Sequence, residues 1–186
     1  MAGNLHDDAV RVLSGWTATS ADADAARRET LGLLHDGPAA MTRAHRPGHV
    51  TASTLVLGED RRVLLCLHGR MNMWMQLGGH CEPGDTTLAA AALREAEEES
   101  GITGLKLDSD PIDVHIHPVR CRPADGEPAT ATRHFDVRFV AIAPAGAVER
   151  ISDESSALGW FDPEALPDPL ADGVIGQLAP ALARLR

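Results

Sequence analysis

Apolar residues at Leu5, Ala9, Val12, Leu13 and Trp16 recur every three or four positions, so Leu5 to Trp16 is expected to form an amphipathic helix with Asp7 and Asp8 in its first turn. Ser20 offers a cap for a second helix, Ala21 to His35, with Leu31 and Leu34 on the packing side and Gly37-Pro38 as its stop. Residues 39–48 have linker composition and end at Pro47-Gly48. The period then changes. His49 to Leu57 and Arg61 to His68 are aliphatic or β-branched runs parted by Gly58-Glu59-Asp60, which predicts a hairpin. Leu105 to Leu107 and Ile112 to His117 read as further strands. His134 to Ala143 alternates, with Phe135, Val137 and Phe139 on one face and Arg138 on the other. Between them, Cys121 to Thr132 contains Pro123, Asp125-Gly126 and Pro128, a loop long enough to border a site. Asp162-Pro163 begins a turn or short helix, and Leu170 to Leu185 predicts a closing helix interrupted near Pro180.

One stretch departs from simple amphipathicity. Leu88 to Ser100 is rich in Ala, Leu, Arg and Glu, with Asp85 or Thr86 as cap and Gly101 as stop. Ala89, Ala92, Leu93 and Ala96 form its apolar stripe, and Glu95, Glu98 and Glu99 fall within about 100° of one another on the adjoining face. Like charges at this spacing destabilise a bare helix by roughly 0.2–0.5 kcal/mol per pair. A divalent cation reverses that cost, and three carboxylates are hard oxygen ligands suited to Mg²⁺ or Mn²⁺ with a substrate phosphate completing the shell. A run of glutamates alone would read as a solvated face. The combination is more specific: Gly78 and Gly79 precede the helix, Arg94 adjoins Glu95, and Gly101 closes the unit.

Those residues resemble the Nudix box, G-x5-E-x7-R-E-U-x-E-E-x-G-U, where U is a bulky aliphatic residue. Gly79, Arg94, Glu95, Glu98, Glu99, Gly101 and Ile102 match it. Three positions depart: Asp85 stands where the loop glutamate is expected, eight residues rather than seven separate it from Arg94, and Ala96 takes the aliphatic position. The extra residue is expected at the loop-to-helix junction, since an insertion within the helix would rotate the glutamates apart. Leu77 stands where the family has proline before the glycine pair.

The resemblance implies the Nudix fold, an α/β/α sandwich with a mixed β-sheet. It divides the chain into a helical N-terminal extension, residues 1–48, and a Nudix domain with a C-terminal helix, residues 49–186. The extension reads as a packing appendage or dimer arm, with a substrate lid as the alternative. The implied activity is a Mg²⁺-dependent (or Mn²⁺-dependent) pyrophosphohydrolase for a nucleoside diphosphate linked to another moiety, with water attacking phosphorus. By motif position, Glu98 and Glu99 are the principal metal ligands, Glu95 is a further ligand or the group that orients or deprotonates water, and the Gly78 carbonyl adds a ligand. Arg94 would hold the glutamates rather than touch substrate. Ser152 to Phe161 resembles the late segment leading into a Trp-containing strand, where Asp153 or Glu154 could supply a ligand or base or simply cap a turn. The alternative is a catalytically inactive Nudix-fold binding or regulatory module, for which the irregular loop spacing is the hint.

Other candidates are weaker. Arg133 or Arg138 are positioned on a strand to meet substrate phosphate, and Trp74 can anchor the core or stack on a base. His115 and His117 share a strand face, as do His134 and Asp136; two such pairs lack matched third and fourth metal ligands, so they line a pocket or face solvent. Cys66, Cys81 and Cys121 are odd in number and follow no metal spacing, which predicts free thiols, Cys81 being space-filling or reactive. Net charge of −10 argues against a general nucleic-acid binder but suits a small phosphorylated substrate. Lys106 is the only lysine, and the Arg, Ala and Gly bias fits a bacterial GC-rich source. No apolar run of membrane-spanning length or secretion signal is evident, which predicts a cytoplasmic protein.

Overall fold

A computed structural model of the chain describes residues 4–124, 126–151 and 155–185. Helices α1 (Leu5–Gly15) and α2 (Ala21–Leu34) open the chain, capped by Asn4 and Ser20, whose side chains accept the Asp7 and Ala23 amides. A short 3-10 turn, Gly37–Met41, runs into the first residues of the expected linker. Strands β1 (His49–Leu57), β2 (Val63–His68), β3 (Trp74–Met75) and β4 (Leu77–His80) follow, then helix α3 (Leu88–Ser100). Strands β5 (Lys106–Leu107), β6 (Asp113–Cys121), β7 (Thr130–Ile142) and β8 (Ser155–Phe161) complete one mixed sheet, and helix α4 (Val174–Leu182) closes the described chain. Among the described residues no helix is long and apolar enough to cross a membrane.

Strand β1 is the axis. It runs parallel to β7 over its whole length, from His49 opposite His134 to Leu57 opposite Ile142, and antiparallel to β4 from Thr51 opposite His80 to Thr54 opposite Leu77. Its far end pairs with β2, so β2 and β4 share one edge of β1 in succession. The two sheet faces then separate by residue parity. On one face Val50, Ala52, Phe135, Val137 and Phe139 pack beneath Ala91 and Ala92 of α3. Ala9, Leu13, Leu33 and Leu34 of the N-terminal helices belong to the same cluster, so the extension completes this core rather than hanging from it. Each fully buried leucine there is worth roughly 1.5–3 kcal/mol of burial. On the other face Leu55, Leu57, Val63, Leu65 and Val140 pack against Val174 and Ala181 of α4, while the half nearer His49 is polar.

Several boundaries differ from expectation for identifiable reasons. The glycine loop before α3 is instead strand β4. Without side chains at Gly78 and Gly79 the backbone can lie against β1 and α3; a Cβ on Gly78 would sit 2.3 Å from the Ser53 Cβ. Strands β6 and β7 run further into the expected 121–132 loop, because cross-strand pairing continues through Pro118 to Cys121 opposite Thr130. Thr87, not Asp85 or Thr86, caps α3 by accepting the Ala90 amide. Pro180 lies inside α4 without ending it.

Candidate functional site

The junction of β4 and α3 gathers the acidic residues. Gly101 ends α3 in the left-handed conformation (φ 65°), where its amide bonds the Glu97 carbonyl. Two residues earlier, the Glu99 carboxylate accepts the Gly78 amide at 2.8 Å and ties helix to strand. Glu95 lies directly over Gly79, where an added Cβ would fall 2.7 Å from its carboxyl carbon. Glycine leaves Glu95 in this position, and a side chain there would displace the carboxylate.

Arg94 binds this arrangement together. Its Nε and Nη2 donate to the two Asp85 oxygens at 3.1 and 3.0 Å, its Nη1 donates to Glu95 and Glu98 at 3.0 Å each, and Nη2 also reaches the His80 carbonyl at 3.0 Å. The planar guanidinium can serve five acceptors at once; a lysine could not. The hydrogen-bonded Asp85 carboxylate, seconded by Glu95, holds the guanidinium above its ordinary pKa against the cost of partial burial. Asp85 also accepts the Glu82 amide at 2.7 Å, so one buried carboxylate fixes both the loop and the arginine. The shorter acid and the additional residue before Arg94 therefore compensate one another: the loop is longer by one position and Asp85 still reaches the guanidinium.

A second anchor comes from far away in sequence. The Asp8 carboxylate of α1 accepts the Leu88 amide at 2.8 Å, satisfying an orphan donor in the first turn of α3. Asp8 is itself buried and paired with Arg11.

The polar half of the α4-side face forms a floor next to Gly78. Asp136, 5% exposed, accepts hydroxyls of Thr51 and Ser53 at 3.1 and 2.8 Å, the Gln76 amide at 3.3 Å and the Arg138 Nε at 3.0 Å. Burial opposes charge on Asp136, yet Arg138 and these donors hold its carboxyl below the usual range. Asp113 lies on the other side of Arg138, at 3.2 Å, where burial pushes its carboxyl upward against the pull of that guanidinium. Gln177 of α4 reaches down to Gln76 at 2.9 Å. His115 and His117 lie stacked on this floor at 5.5 Å between centroids, each with a buried Nδ1 lacking a hydrogen-bond partner. Burial lowers both, His115 to about 4.

Three residues considered for substrate contact are placed elsewhere. Arg138 is 2% exposed and its guanidinium is spent on Asp136, Asp113 and the Gly173 carbonyl, so phosphate cannot reach it without breaking that network. Arg133 points to the opposite face, pairs with Glu29 of α2 at 2.6 Å and lies over the Phe135 ring. Trp74 packs edge-on to Phe161 at 4.8 Å and belongs to the α4 core, a structural anchor rather than a stacking platform. Asp153 and Glu154, considered as extra ligand or base, lie outside the described residues. Cys81 is half-buried, and burial pushes its thiol up to about 12.

The structure also assembles a group that spacing along the chain concealed. His49, His80, Cys121 and His134, from four different strands, bring one ligand atom each to within 4.8 Å of one another. Cys121 is a free thiol, as expected, but His134, read as lacking third and fourth metal ligands, has three candidate co-ligands in this group. Separations of tens of residues leave no motif; the traceable hints are histidines near the same end of paired strands β1, β4 and β7.

The NUDIX domain family model matches residues 47–182. A MutT-like protein of Streptomyces ambofaciens is 28% identical over 133 residues, covering 72% of this chain and 76% of its own. Among solved structures, a NUDIX-family hydrolase from Clostridium perfringens has a TM-score of 0.54 at 23% identity, covering 75% of this chain and 99% of its own, a likeness of fold. A MutT NUDIX hydrolase from Burkholderia pseudomallei is 26% identical with a TM-score of 0.52, covering 70% of this chain and 95% of its own.

Proposed function

The chain belongs to the Nudix hydrolase family, and from that premise we propose that it is a pyrophosphohydrolase for a nucleoside diphosphate linked to another moiety, such as a nucleoside triphosphate, sugar nucleotide or dinucleotide. The observation that carries this reading is the Arg94 clamp, which presents Glu95 and Glu98 beside the glycine strand while Glu99 holds Gly78.

The residues suit a hard divalent cation. Glu95, Glu98, Glu99 and the Gly78 carbonyl form an all-oxygen donor set, and the missing Cβ at Gly79 keeps Glu95 against the strand. Those four groups would hold Mg²⁺ or Mn²⁺. When bound, such an ion lowers the pKa of water and neutralises charge developing on phosphoryl oxygens.

The chain's own contributions follow from placement. Arg94 is a positioning residue: it offsets repulsion between Glu95 and Glu98 and aims them, with its own charge consumed by carboxylates. Glu98, 60% exposed, is free to swing from Arg94 toward an incoming phosphate-bound cation. Glu95, 15% exposed and partly shielded, is the group to orient attacking water or take its proton. The polar floor beside Gly78, with His115 and His117 on it, receives the part of the substrate beyond the scissile anhydride. The acidic net charge fits a small substrate whose phosphates meet the cation, in a cytoplasmic setting.

The test is a hydrolysis assay of the purified chain with Mg²⁺ or Mn²⁺ and a panel of nucleoside triphosphates, sugar nucleotides and dinucleotides in ¹⁸O-water, with products read by mass. Cleavage at a phosphoric anhydride names the substrate class and the phosphorus attacked. No cleavage of any member would speak against the proposal.

A further inference from the structure

The group His49, His80, Cys121 and His134 is separate from the glutamates and has a different chemistry. We propose that these four side chains bind one Zn²⁺ in a closed structural site that pins the glycine strand to the β6–β7 hairpin.

Three observations lead there. The first is convergence. The ring centroids of His49, His80 and His134 form a near-equilateral triangle, 5.1, 4.9 and 5.0 Å on its sides. The Cys121 Sγ stands 3.2 Å from the His80 Nε2. Zinc with Zn–N near 2.0–2.1 Å and Zn–S near 2.3 Å sets its tetrahedral ligand atoms roughly 3.3–3.7 Å apart. All four donors already lie within 4.8 Å of one another, so small side-chain rotations close the shell.

The second is unmet bonding. His49 is fully buried, and neither of its ring nitrogens has a hydrogen-bond partner; the His134 Nε2 is likewise buried and unpartnered. A histidine kept in a core merely to fill space is ordinarily hydrogen-bonded, and here its neighbours across the sheet are other imidazoles. A neutral imidazole brings one ring-nitrogen lone pair to a metal, and three such rings face one another here. Cys121 completes the set as thiolate. Its proton leaves to solvent as the Zn–S bond forms, so each zinc bound releases one proton.

The third is selectivity. Three imidazoles and a thiolate suit zinc, whereas the all-oxygen glutamate set suits Mg²⁺, so the two ions sort themselves. Four protein ligands leave no open position, the mark of a structural rather than a catalytic zinc. The location gives the site a purpose. The His80 carbonyl is gripped by Arg94, and Gly79, its neighbour, lies under Glu95. Fixing the His80 side chain therefore steadies the backbone on which the glutamates are arranged.

The experiment uses the full chain without an affinity tag, reduced, incubated with excess Zn²⁺ and passed through gel filtration in zinc-free buffer containing Mg²⁺. Elemental analysis should find about one zinc per chain. The Cys66→Ala variant, altered at a thiol outside the group, should keep it, and a Cys121→Ser, His134→Ala double variant should lose it. Loading wild type with Co²⁺ should give a thiolate-to-cobalt charge-transfer band and the intense visible bands of tetrahedral cobalt. Wild type that elutes without zinc, or that shows no charge-transfer band, overturns the proposal even where a variant fails to fold. A folded double variant that retains wild-type stoichiometry overturns it as well. No substrate enters these measurements, so the zinc site and the hydrolytic reading stand or fall separately.

Discussion

Replacing Asp85 with alanine removes three contacts at once: both carboxylate oxygens accept from Arg94, at 3.1 and 3.0 Å, and one also accepts the Glu82 amide at 2.7 Å. The Asp85 side chain is 7% exposed and Arg94 is 22% exposed. Hydrogen bonds to charged groups contribute about 1.5–3 kcal/mol each, and leaving one buried partner unmatched adds to the loss. Arg94, however, keeps Glu95, Glu98, the His80 carbonyl and some water, which offsets part of the cost. The expected net destabilisation is about 2–3 kcal/mol, and about half that for Asp85→Asn, which preserves shape and one acceptor. With a urea slope of roughly 2 kcal/mol/M, the alanine variant's midpoint should fall by about 1–1.5 M at unchanged slope. Because the same loop positions the groups beside Gly79, turnover should fall about 10–100-fold, the usual effect of losing a residue that orients ligands. Urea titration followed by tryptophan fluorescence measures the first effect, and the ¹⁸O assay measures the second. An alanine variant within about 0.5 kcal/mol of wild type and with undiminished turnover would refute the reasoning that Asp85 performs the loop acid's role.

Other expectations follow from the same geometry. Asp8→Ala leaves the Leu88 amide without its acceptor, so thermal unfolding should report a loss of about 1–2 kcal/mol although position 8 lies 80 residues away in sequence. Gly79→Ala places a methyl group 2.7 Å from the end of the Glu95 side chain; that end can move, so stability should fall by less than about 1 kcal/mol while kcat drops at least about tenfold. In metal-free protein, burial holds His49, His80 and His115 at about 4 and His134 at about 3, below their ordinary value of 6.5. The unfolded chain then binds more protons between those limits, so stability is intact above about pH 6.5 and is lost as pH falls toward 4. Each histidine that stays neutral contributes roughly 1 kcal/mol per pH unit. Urea midpoints at about pH 7 and pH 5 check this, and equal midpoints would count against it.

The local elements were legible because local rules decide them. Ser20 caps α2, His49–Leu57 is a strand with the expected bounds, and Phe135, Val137 and Phe139 face away from Arg138. The acidic face of α3 and its arginine could be read from helical spacing alone. What escaped depends on contacts distant in sequence. Strand β4 was concealed because two glycines before a helix read as a loop, and only the proximity of Ser53 and Glu95 explains why glycine stands in a strand. Arg138 looked available for phosphate because alternation predicts a face but not what covers it; Asp113, Asp136 and the Gly173 carbonyl do. The His49, His80, Cys121 and His134 group left no spacing signal, since pairing of β1 with β4 and β7 creates it.

The central claim, that the glutamates of α3 serve hydrolysis of a phosphoric anhydride, is tested most directly by Glu98→Gln and Glu99→Gln. Each substitution is nearly isosteric and removes one negative charge. Both variants should keep the wild-type circular dichroism spectrum and lose at least about a hundredfold in kcat against the substrate the panel identifies, with Mg²⁺ in excess. Folded variants that turn over at the wild-type rate would contradict the account.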